Sequence, residues 1–182
     1  MKKILIISLV LLLSISMLAG CGGGGDSSGS GTQSSAPAVK GETYSAGNIS
    51  ATVPEGWQAF PFYSGGEESP NTFAVHKGAL NAMDMRYTPG VQIQLFPDGD
   101  GFGTDLMKAM YENVSDLAPQ TLGGFTWEGF TGVSGDIPTA LMWTDAGDDN
   151  ILVAVWLEME DVTISLDDAD VQAIIASIKP NK

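Results

Sequence analysis

Cysteine, histidine and basic side chains are scarce in this 182-residue chain, and each scarcity narrows what it can be. Cys21 is the only cysteine, so no internal disulfide and no Cys-rich metal site can form, and the fold has to hold by its core. His76 is the only histidine, which removes multi-His zinc sites and leaves one candidate for a Ser-His-Asp arrangement. It lies in the stretch 72–77 and reads as a half-exposed strand residue. Eight Lys and Arg stand against 22 Asp and Glu, a formal charge of −14. Such a chain is repelled by phosphate backbones and anionic head groups, so nucleic acid is not an expected partner; basic proteins, cationic ligands and divalent metals fit better.

Long apolar runs are also few. Residues 4–18, interrupted by Ser8, Ser14 and Ser16 and preceded by Lys2 and Lys3, form the one such run. It falls short of the roughly 20 residues that cross a bilayer and gives way to a Gly-rich stretch, so it reads as a cleaved export signal. Its end, Leu18-Ala19-Gly20-Cys21, resembles the bacterial lipoprotein signal, a Leu and two small residues before a Cys. That resemblance implies cleavage before Cys21, a covalent diacylglyceryl group on its sulfur, usually an acylated α-amine, and attachment to the extracytoplasmic face of a bacterial membrane. Anchoring by two or three chains is stable, each buried CH₂ contributing about 0.8 kcal/mol. Residues 1–20 are then signal, and 21–41 are lipidated Cys and Gly/Ser tether. About 19 flexible residues reach roughly 25 Å on average. Residues 42–182 form a single domain of even composition. With the signal gone, six basic residues remain against the 22 acidic ones, which leaves lipid as the route to the membrane.

Within 42–182, alternation or apolar runs bounded by turn residues predict strands at 49–53, 57–62, 72–77, 91–96, 125–131, 140–144 and 151–157, with a short segment at 162–165. The strand 151–157 is apolar on both faces, as a strand covered on both sides would be. Residues 78–90 read as a loop, with Met83-Asp84-Met85-Arg86 as a covered edge. From Thr104 the period turns helical, with Leu106, Met107, Met110 and Val114 on one face, and 168–179 repeats Val171, Ile174, Ile175 and Ile178 at i, i+3, i+4, i+7. The expected class is α+β, a largely antiparallel sheet of six or seven strands flanked by helices. The strand ending in Val53-Pro54-Glu55-Gly56-Trp57, the Gly123-Gly124 strand entry with Trp127 and the final helix ending in Ile178-Lys179 resemble lipoproteins with the PsbP-like (Mog-like) α/β/α sandwich. That fold hosts many activities, so the resemblance implies no particular one and carries over no functional residues.

Asp98, Asp100 and Asp105, in a Gly-rich loop between a strand and a helix, are the candidate metal ligands. Hard cations want several oxygens, so calcium is the cation of choice. Counted as an EF-hand from Asp98, however, positions 5 and 12 fall on Phe102 and Ala109. A phosphate loop is not met, because the segment lacks GxGxxG spacing and a Gly-Lys-Ser/Thr ending. The clusters 145–150, 158–161 and 167–170 read as turns and a helix start. Trp57, Trp127, Trp143 and Trp156 read as core. No cofactor and no catalytic residue is expected. The function expected is a non-enzymatic binding or accessory module held at the membrane, with another envelope protein as a partner. Cation-dependent binding through the acidic loops is the alternative, and a carboxylate-based hydrolase comes after it.

Overall fold

The computed structural model describes residues 38–99 and 103–181. Leu18, Ala19, Gly20, Cys21, most of the expected tether and Asp100 lie outside the described residues. In chain order the elements are β1 (Gly41–Ser45), β2 (Ile49–Pro54), β3 (Trp57–Ser64), β4 (Glu67–Lys77), β5 (Gly90–Phe96), α1 (Thr104–Lys108), β6 (Glu112–Asp116), β7 (Gln120–Leu122), β8 (Phe125–Ser134), β9 (Ile137–Asp145), β10 (Asn150–Trp156), β11 (Glu158–Met159), β12 (Val162–Thr163), α2 (Ala169–Ala176) and β13 (Lys179–Pro180).

Tight turns set the register. Gly65-Gly66, Gly123-Gly124 and Gly135-Asp136 all hold positive φ at both positions, the geometry that matches the twist of a two-residue hairpin. The result is a sheet in the order β3-β4-β5-β10-β9-β8-β6, with β7 also paired to β8, and a smaller sheet in the order β1-β2-β13. Every pairing is antiparallel. The α+β class is as expected, with eight strands in the main sheet where six or seven were read.

One face of that sheet carries the core. Phe73, Val75, Val91, Ile93, Ile151, Val153, Val155 and Met142 point there and meet Val171, Ile174, Ile175 and Ile178 from α2 and its C-terminal end, together with Ile49 and Ala51 of β2. The helix repeat read from the sequence thus faces apolar strands, as its spacing demands.

The other face departs from expectation in three ways. The predicted helix from Thr104 ends at Lys108, and Val114 lies on β6. Leu106 and Met110 are exposed, so the apolar spacing never builds a buried face. The free edge of β8 offers backbone hydrogen bonds to residues 112–116, and that pairing outweighs helix propensity. Second, the described cover on this side comes from the residues just before β6: Tyr111 packs edge-on against Phe130, and the Lys108 ammonium sits 5.9 Å from the same ring. Third, the cover is partial. Leu152, Ala154 and Trp156 on the outer side of β10 are only half-buried, whereas Ile151, Val153 and Val155 are fully enclosed.

Candidate functional site

On the partly covered face the register brings residues into rows across the strands. Thr72, Gln94, Leu152, Trp143 and Glu128 form one row, and Phe60, Ala74, Gln92, Ala154, Leu141 and Phe130 the next. Phe130 and Leu141 are buried, Phe130 beneath Tyr111 and Lys108. Gln92, Gln94, Leu152, Ala154 and Trp143 are half-buried. Neither glutamine amide has a hydrogen-bond partner among the described residues, so the platform combines apolar area with unused donors and acceptors. That combination suits a recognition surface better than a core.

At the end where β8, β9 and β10 meet, the platform deepens into a recess of about 460 Å³ lined by Phe125, Thr126, Glu128, Trp143, Asp145 and Asn150. Trp143 forms a wall and stacks obliquely on Phe130, its ring centroid 6.1 Å away. Glu128 and Asp145 place two carboxylates at the mouth, and Asn150 adds an amide. Asp145 also accepts a hydrogen bond from the Gly147 N–H at 2.8 Å, which holds its carboxylate at the start of the β9–β10 connection. Chemically the recess offers an aromatic face and negative charge, a setting for a cationic or hydrogen-bond-donating group. A roomier cleft of about 760 Å³ lies between β1 and β3. Its Trp57 is already committed: the indole N–H donates to Asp170 Oδ2 at 3.0 Å, and the Lys77 ammonium sits 5.9 Å from the ring.

At the opposite end of the same face lies His76, fully enclosed rather than half-exposed. The strand is interior to the sheet, and Phe60 and Trp156 stand beside the imidazole, with centroids at 6.1 and 5.2 Å. Nδ1 lies 3.0 Å from the Thr88 carbonyl, which can only accept, so Nδ1 carries the proton. Nε2 is then an acceptor, and it has no partner among the described residues. Burial holds this imidazole below its ordinary pKa, against a smaller upward pull from the Thr88 carbonyl. Gly90 lies directly opposite, and a Cβ there would come within 2.8 Å of Nδ1.

Thr88 closes the loop between β4 and β5, and this loop is a rigid object. Asp84 Oδ2 accepts from the N–H groups of Leu80 at 2.8 Å and Asn81 at 3.2 Å, and from the Asn81 amide at 3.1 Å. Asn81 Oδ1 accepts from the Met83 N–H, and the Thr88 hydroxyl donates to the Asp84 carbonyl. The reading of Met83-Asp84-Met85-Arg86 as a covered edge is overturned, because Met83 is 80% exposed and Leu80 82%. The hydrogen bonds fix the backbone so that Ala79 turns inward and these two cannot.

Of the candidate metal ligands, Asp98 and Asp105 are described and Asp100 is not. The Asp98 N–H donates to Asp149 Oδ1 at 3.2 Å, which ties the loop to the β9–β10 connection. Among the described residues no group of three or more acidic, His or Cys side chains is arranged to hold a metal. Asp168 stands at the N-cap of α2 without bonding its amides; its carboxylate takes the Ser165 N–H instead. Trp57 and Trp127 are core, as read, but Trp143 and Trp156 belong to the partly covered face. The recess was missed because Glu128 sits on β8, Trp143 and Asp145 on β9 and Asn150 on β10, and only register unites them. Gln92 and Gln94 between apolar residues were the one visible signal.

No family model matches the sequence, and no curated protein is similar to it. Among solved structures, a Bacteroides thetaiotaomicron protein is similar at 14% identity and a TM-score of 0.45 over 78% of this chain, which spans about half (49%) of that protein's length. LpqN of Mycobacterium tuberculosis, described as involved in cell envelope biogenesis, is similar at 15% identity and 0.41, over 77% of this chain and 86% of its own. The cyanobacterial PsbP of Synechocystis is similar at 14% and 0.42, over 85% and 98%.

Proposed function

We propose that this chain is a lipid-anchored, extracytoplasmic bacterial protein whose domain works by binding rather than by covalent chemistry. The address is supported by Leu18-Ala19-Gly20-Cys21 behind a short apolar run, and among the described residues no helix is long and apolar enough to cross a membrane. The binding role is carried by one observation: the Trp143, Glu128, Asp145 and Asn150 recess opens onto a half-buried platform with two glutamine amides that have no partner among the described residues. Its charge suits a basic segment of another envelope protein, in keeping with the acidity of the whole chain.

Two measurements test the proposal separately. Replacing Cys21→Ser should move the protein from the membrane to the soluble fraction of lysed cells, and unchanged retention would remove the anchor. A photo-crosslinking residue in place of Gln94, in intact cells, should give a discrete adduct that Trp143→Ala and Glu128→Gln each abolish. The same crosslinker in place of Glu160 should give none. Equal labelling at both positions, or indifference to Trp143→Ala, would overturn the recess as the binding site.

A further inference from the structure

The braced loop between β4 and β5 displays Leu80, Met83 and Tyr87 at 82, 80 and 55% exposure on a backbone that its own hydrogen bonds hold still. Three large apolar side chains kept outward by a fixed scaffold form a contact surface, and the fold shows which way it faces. Strand pairing starts at Gly41 opposite Pro54, the Lys40 carbonyl accepts from the Glu55 N–H at 3.0 Å, and the Gly56 carbonyl accepts from the Gly78 N–H at 2.9 Å. The point where the chain enters the domain from Cys21 is therefore two hydrogen bonds away from the apolar loop. Met110 is exposed at the same end, since Tyr111 lies over Gly132. The recess with Trp143 is at the other end of the strands.

We infer that Leu80, Met83 and Tyr87 form a second, non-covalent contact with the lipid bilayer, beside the covalent anchor. The inference rests on the anchored reading of Cys21. A tether of about 19 residues, with a mean reach of roughly 25 Å, holds this end of the domain near the lipid. At the resulting effective concentration, in the millimolar range, a contact too weak to recruit a free protein is still occupied. The side chains enter the interface, and the N–H groups of Leu80, Asn81, Met83, Asp84 and Tyr87 are bonded within the loop, which lowers the cost of bringing it against lipid. Charges of both signs, Lys40, Lys77 and Arg86 among them, stand at this end, so the contact is carried by the apolar side chains and not by net charge.

The test uses the full lipidated chain on phosphatidylcholine vesicles, carrying an environment-sensitive fluorophore on Met83→Cys or on Asp148→Cys at the far end. With the Cys21 sulfur consumed by lipid, the added thiol is the single labelling site. The label at 83 should shift to the blue and be quenched several-fold more by acyl-chain-borne bromine than the label at 148. Leu80→Asn should reduce that quenching. A water-like label at 83 on protein that co-sediments with the vesicles would overturn the second contact and leave the anchor standing. Failure to co-sediment would remove the anchor, and the second contact with it.

Discussion

His76 shows at a single residue what burial does to chemistry. Its imidazole is held neutral inside an aromatic corner, with a depressed pKa caused by desolvation. The unfolded chain takes up a proton near pH 6.5, whereas the native state resists protonation until lower pH. Stability is therefore full above about pH 6.5 and falls as the pH drops through the interval down to the native pKa. Thermal unfolding of the wild type should show a lower midpoint at pH 5.5 than at pH 7.5, and His76→Gln should flatten that difference; equal slopes would locate the titration elsewhere. The sequence placed His76 on a strand but not inside the molecule. Alternation reports which residues share a face, and it is silent on what the loop ending at Thr88 lays over that face.

At the scale of elements, turns carry as much specification as strands. Gly65 and Gly123 have nearly the same φ, 65° and 64°, but a Cβ at Gly65 meets open space while one at Gly123 would sit 2.1 Å from the Ala176 carbonyl oxygen at the end of α2. Gly65→Ala should cost only the backbone penalty, about 1 kcal/mol. Gly123→Ala adds a collision between backbones and should cost about 3 kcal/mol or more, read by chemical denaturation. Comparable losses would mean that the β7–β8 turn yields more easily than its packing implies. The strands with clear alternation, such as β2 and β5, were legible, and so was α2. Strands β1 and β6 were not, because nearly every residue in them is exposed and no face pattern is imprinted. Their existence is decided by an available neighbour edge, which is a property of the assembled sheet.

Across the whole molecule, charge dominates. Against 22 acidic residues, the described residues hold one ion pair, Lys108 with Asp116 at 2.6 Å on the surface. Such a surface pair contributes little, so long-range repulsion sets the net electrostatic term, and screening relieves it. Raising NaCl from a few millimolar to physiological strength should raise the unfolding temperature; a fall would show that attractive pairs outweigh the repulsion. The acidity was legible from composition alone. The polarity of the domain was not: it takes the register of β4, β5 and β10 to show that the chain enters at one end of the strands and the acidic recess opens at the other.

Strand β1 has a mechanical meaning. Among the described residues it pairs as a strand with β2 only, its residues are almost all exposed, and any pull along the chain from the N-terminal side meets the Lys40–Glu55 hydrogen bond and then this pairing. The small sheet is closed on its other side by β13, and Asn181 reaches across to bond Ser45 and Gly47. If the chain is held through Cys21 as proposed, tension along the tether would have to strip these five residues from β2 and draw Tyr44 off Phe73, 5.0 Å away, before it loaded the rest of the domain, so β1 would serve as a shock absorber.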